Sequence, residues 1–76
     1  MRFKLNGQNY TLTQEEVAHR LRGIEPEQGQ KHFVIVDDRA FPVKQALEIA
    51  LNIPRDFKSV QARRVFRNLG FQLVER

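Results

Sequence analysis

Val34-Ile-Val-Asp-Asp-Arg-Ala-Phe-Pro-Val-Lys-Gln-Ala-Leu-Glu-Ile-Ala-Leu51 is the stretch whose reading decides the fold. Val34-Ile-Val36 is a β-branched run suited to a buried strand. Asp37-Asp38 is turn chemistry, and Arg39-Ala-Phe41 alternates polar and apolar side chains as a return strand. Pro42 suits the first position of a helix, where a missing N–H costs nothing. Behind it Val43, Ala46, Leu47, Ala50 and Leu51 recur at i, i+3, i+4, i+7 and i+8, an apolar stripe along one side of that helix. A hairpin feeding straight into an amphipathic helix is the core of a small α+β domain.

Upstream, Phe3, Leu5, Tyr10 and Leu12 alternate around Asn6-Gly7, the dipeptide that best tolerates a type I′ turn, so Arg2 to Leu12 is a first hairpin. Thr13-Gln-Glu-Glu16 is a capping box, and Leu12 with Val17 has the spacing of a hydrophobic staple. The helix so opened runs from Gln14 to about Arg22 and ends at Gly23 as a left-handed cap, with Val17, Leu21 and Ile24 on its buried side. Glu25 to Gln30 is a polar loop broken by Pro26 and Gly29.

Downstream, Asn52-Ile-Pro54 stops the central helix, and Phe57 anchors the short connection Arg55 to Lys58 in the core. Ser59 is expected to cap a third helix, Val60 to Leu69, closed by Gly70 and followed by a last strand, Phe71 to Glu75. The expected architecture is one α+β domain over residues 1–76, with two β-hairpins, three short helices and a final C-terminal strand. Strand, turn, strand, helix occurs in residues 2–22 and again in 33–51. Their turn residues and helix registers differ, so this is a shared architectural preference and not a repeat.

Composition bounds the function. The 76 residues contain no cysteine, which excludes disulfides, thiolate catalysis and Cys-ligated zinc, and fits a reducing cytoplasm. No run of apolar residues is long enough to span a membrane and no signal-peptide core is present, so a soluble cytoplasmic protein is expected. Residues 1–38 carry five Lys/Arg against six Asp/Glu, whereas residues 39–76 carry eight against three. The whole positive excess lies in the second half, the electrostatic footprint of a polyanion-binding surface.

Catalytic constellations are missing. Ser59 is the only serine, and His19 and His32 are the only histidines, with nothing in the sequence to pair them. Asp37-Asp38 is not followed by further ligands at metal spacing, and Glu15-Glu16 suits the first turn of a helix. The four glycines are isolated and form no phosphate loop. The expectation is a protein that is not an enzyme, with no cofactor, no metal and no small-molecule substrate.

The candidate nucleic-acid-binding residues are Arg39, Lys44, Arg55, Lys58, Arg63, Arg64 and Arg67. On the third helix Ala62, Val65, Phe66 and Leu69 share one side, and Arg63, Arg64 and Arg67 cluster opposite, where guanidinium groups can span neighbouring phosphates. Gln61 and Asn68 are polar neighbours. Phe3, Phe33, Phe66 and Phe71 fall in patterns that bury them, leaving Tyr10 and Phe41 as the aromatics with partial exposure. The expected partner is double-stranded DNA. A solvated helix face competes with that reading, and so does a protein-interaction module whose arginine face meets an acidic protein partner.

Phe41-Pro42-x-Lys44, then Phe57-x-Ser59, Ala62-x-Arg64 and Leu69-Gly70-Phe71, resembles a module of modification-dependent restriction proteins. This is the sulfur-recognising domain that binds phosphorothioate DNA, often fused to an HNH nuclease, and the resemblance covers residues 33–74. It implies a restriction-associated DNA-binding role, with Phe41 and Pro42 lining an apolar pocket for sulfur and with Lys44 and Arg64 on the flanking phosphates. The chain departs from that family in having Phe41 for the more usual tyrosine, in its shorter length, and in having no nuclease within these residues. DNA binding is the implication that depends least on those departures.

Overall fold

The chain forms two hairpins with the same turn geometry. Strands β1 (Arg2–Leu5) and β2 (Gln8–Thr11) pair antiparallel, Phe3 opposite Tyr10 and Leu5 opposite Gln8. Their turn places Asn6 at φ 51° and Gly7 at φ 81°, the two positive values a type I′ turn demands. The second hairpin, β3 (His32–Val36) and β4 (Arg39–Pro42), turns at Asp37 and Asp38 with φ 50° and 63°. Aspartate tolerates this region because its short side chain bonds locally. The computed structural model describes all 76 residues.

Helix α1 (Gln14–Leu21) follows the first hairpin through the expected capping box: Thr13 Oγ1 accepts from the Glu16 N–H at 3.1 Å, and Glu16 Oε1 accepts from the Thr13 N–H at 3.0 Å. Leu12 and Val17 are both buried, completing the staple. The exit differs from expectation. Gly23 (φ 82°) is not a left-handed helix cap. Arg22 is extended (φ −65°, ψ 127°) and the Ile24 N–H donates to the Leu21 carbonyl, so Gly23 is the third residue of a type II turn.

Helix α2 (Val43–Leu51) starts one residue later than the sequence suggests. Pro42 is its N-cap, not its first helical residue, because Pro42 still pairs with Phe33 at the end of β4. Val43, Ala46, Leu47 and Ala50 are buried as expected, with Leu51 at the margin. Gln45 is buried as well. Its Oε1 accepts from the Glu27 N–H and its Nε2 donates to the Glu25 carbonyl, both at 2.9 Å, so one amide ties the polar loop to α2 and leaves neither of its own polar atoms unpaired. Asn52 (φ 55°) ends α2 in the left-handed conformation, and the Ile53 N–H reaches back to the Glu48 carbonyl.

Helix α3 (Ser59–Leu69) corrects the reading of Ser59. Ser59 is the first helical residue and caps nothing. Instead Gln61 Oε1 accepts from the Lys58 N–H at 2.7 Å, closing the first turn from its third position. At the other end the Phe71 N–H donates to Phe66 and the Gly70 N–H to Arg67, with the Phe71 ring edge-on to Phe66 at 5.9 Å. That is a Schellman motif with its hydrophobic contact. It uses up Gly70 and Phe71, so the last strand, β5, is shorter than expected, Leu73–Glu75.

Strand β5 pairs antiparallel with β3, giving a three-stranded sheet in the order β4-β3-β5 beside the two-stranded β1-β2 sheet. Central strand β3 contacts all three helices, and its Val34 and Val36 are buried in the core with Leu12, Leu21, Leu47, Phe57 and Phe66. Phe33, on the other face of the pleat, is covered by the Arg76 guanidinium 4.9 Å from its ring centre.

Gly70 has φ +95°, and a Cβ there would come within 2.8 Å of Gln14 Nε2, which donates to the Leu69 carbonyl. Gly70→Ala is therefore expected to destabilise the domain by about 1–2 kcal/mol, read as a lower urea midpoint with unchanged m-value.

Candidate nucleic-acid interface

Between Asp56 and Glu75 the chain contains no Asp or Glu, yet it carries Lys58, Arg63, Arg64 and Arg67. Helix α3 presents all four on or beside its outer side. Ala62, Val65 and Phe66 face the core, while Arg64, Arg67 and Asn68 are exposed and Lys58 is exposed just before the first turn. None of the four forms an ion pair, because every salt bridge in the molecule involves His32 or Arg55. Val60, 48% exposed, is the most exposed large hydrophobic residue and lies on the same side of α3.

Arg63 is less free than its neighbours. It sits on the flank of α3, half-buried, with its Nε shielded from water and without a hydrogen-bond partner.

The remaining predicted cations lie outside α3, and Arg55 borders a cavity shared with Lys58 and Gln61. Arg55 is fully engaged: its Nη1 and Nη2 donate to the two carboxylate oxygens of Glu27 at 2.9 Å, and its Nε and Nη2 donate to Glu48 Oε1 at 3.2 and 2.6 Å. It is a structural clamp joining the polar loop, α2 and the connection to α3. Hydrogen bonding from Arg55 holds the Glu27 carboxyl below its ordinary range, and the same bonds from Glu27 and then Glu48 raise Arg55.

A depressed carboxyl contributes stability above its unfolded pKa and loses it as pH falls through the folded value. Arg55→Gln is therefore expected to cost about 1 kcal/mol at neutral pH, the upper range for a partly exposed network. That difference from wild type should shrink as pH falls below the ordinary value of 4.5. Urea denaturation at a series of pH values measures it.

Arg39 is half-buried; its Nη2 donates to the Ile24 carbonyl at 2.7 Å and its guanidinium lies 5.0 Å from the Phe41 ring centre. It braces the exit of α1. Lys44 is half-buried in the first turn of α2, a helix that packs against α3.

Phe41 and Pro42 occupy the core. Phe41 is 1% exposed and Pro42 is among the most fully buried side chains; Phe41 also borders a small cavity of about 130 Å³ with Leu21, Val36 and Arg39. Phe3 is more exposed than Phe41. It is half-buried, stacked on Tyr10 with ring centres 5.8 Å apart, and it lines a cleft between β1 and α3.

Lys4, a basic residue the charge count passed over because it lies in the near-neutral half of the chain, lines that cleft as Arg64 does. Alternation along β1 places Lys4 on a polar side, but only the packing of the hairpin against α3 brings it to the cleft. The joint is made by Asn6: its Nδ2 donates to the Asp56 carbonyl at 2.9 Å and its Oδ1 accepts from Gln61 Nε2 at 3.1 Å.

Fold and surface together define a small α+β domain whose third helix carries an unpaired, carboxylate-free basic face. The chain belongs to the SCO5918-like family, whose model matches residues 1–76. No curated protein and no solved structure matches it. No helix is long and apolar enough to cross a membrane.

Proposed function

We propose that this protein is a non-catalytic nucleic-acid-binding module that holds double-stranded DNA by its phosphate backbone through the outer face of α3. One observation carries the reading: four cations on or next to one helix, none ion-paired, in a segment of chain without a carboxylate. Unpaired guanidinium groups on a solvated helix suit phosphate, which they contact in bidentate fashion while releasing condensed counterions.

The face offers a protein partner little. Stable protein interfaces are anchored by buried aromatic or aliphatic side chains, and here the most exposed large hydrophobic residue is Val60. The lack of cysteine fits work in the reducing cytoplasm.

Fluorescence anisotropy with a labelled DNA duplex tests the reading. Four phosphate contacts give a slope of about −3 to −4 for log K against log salt. Unlabelled nonspecific DNA should compete fully. Absence of binding even at low salt would overturn the proposal in favour of an acidic protein partner.

A further inference from the structure

We propose that the cleft between β1 and α3 seats one unpaired nucleotide of the bound nucleic acid, adjoining the phosphate-binding face. The proposal rests on the nucleic-acid reading and names the feature of the ligand that this site selects.

The cleft encloses about 90 Å³. Its floor is Leu5 and Val65, 4% and 5% exposed, and the half-buried Phe3 ring forms an apolar wall. Lys4 and Arg64 line the same space, both exposed and without an ion pair. Two amides complete it, and they are not equivalent. Gln61 is engaged in the fold, its Oε1 accepting from the Lys58 N–H and its Nε2 donating to Asn6. Asn68 is exposed and its side chain bonds to no other residue, so its amide has both donor and acceptor to offer.

An aromatic and aliphatic surface, one free amide and two free cations match the three parts of a nucleotide: an apolar ring face, a polar base edge and an anionic phosphate. Base stacking on an aromatic side chain tolerates any sequence, and an amide can pair with any base edge. A base within an intact duplex has both faces covered by its neighbours, and the cleft has room for a single ring system, not a base pair. Only a base out of the stack enters.

The test is an anisotropy titration of the full chain against three duplexes of the same sequence. One is intact, one carries a single unpaired nucleotide, and one carries an abasic residue at that bulge. Wild type is expected to bind the bulged duplex about tenfold more tightly than the intact one, and the abasic bulge no better than the intact one. Phe3→Leu and Asn68→Ala should each bring that ratio towards one and leave intact-duplex affinity within about twofold of wild type.

Asn68 is exposed, so Asn68→Ala reports even if Phe3→Leu fails to fold. A wild-type ratio of one, equal binding of abasic and base-containing bulges, or a ratio untouched by Asn68→Ala would each overturn the proposal while the DNA reading stands. No binding to any of the duplexes would overturn both.

Discussion

The double variant Arg64→Gln, Arg67→Gln is expected to fold like wild type and to lose most of its DNA affinity at moderate salt. Both side chains are exposed and lie on the side of α3 opposite Ala62, Val65 and Phe66, so the core keeps its contacts. Glutamine is a good helix former, and neither arginine has a partner in the fold to lose. Each phosphate contact contributes about 0.9 to the log K versus log salt slope, so the slope should flatten by roughly 2 units.

Arg63→Gln belongs in a separate variant, because that side chain is half-buried and its removal also changes packing. Arg20→Gln and Arg22→Gln serve as controls. They are exposed on and just after α1, where Glu15, Glu16 and Asp37 share their surroundings. If the controls weaken binding as much as the α3 variant, the interface is misplaced.

Phe41→Ala is expected to be the most damaging single substitution for stability. A phenylalanine 1% exposed, packed among core side chains from all three helices and β3, leaves a cavity when truncated. Such changes cost about 3–5 kcal/mol. A domain of this length has roughly 4–11 kcal/mol in total. The melting temperature should fall by roughly 15–30 °C, with part of the population unfolded at the start of the scan. A shift of only a degree or two would mean that Phe41 is free to serve a ligand, and would reinstate the apolar pocket implied by the restriction-domain resemblance.

Local chemistry made much of this fold legible in the sequence. The Asn6-Gly7 turn, the Thr13 and Glu16 capping box, the Leu12 and Val17 staple and the Gly70 terminator each depend on residues within a few positions of one another. The apolar side of α3 and the basic side opposite follow from helical period alone, so the core of the proposed interface was visible too. Errors of one or two residues arose where two local rules compete. Pro42 satisfies both the end of a strand and the start of a helix, and Phe71 is taken by the helix terminator before the strand can use it.

Tertiary structure decided which charges and rings are available. Arg55 meets Glu27 across 28 positions of sequence, Gln45 meets Glu27 across 18, and Asn6 meets Gln61 across 55. Nothing in a period of two or of 3.6 residues specifies such pairs, because they exist only once the loop, the linker and the hairpin have docked. The same docking exchanged the roles of two aromatics. Phe41 went into the core because β4 lies against α2, and Phe3 kept a surface because β1 borders α3 across a cleft. Sequence alone determined the elements and the sign of the α3 face; the packing of those elements determined which of its cations remain unpaired and which aromatic stands beside them.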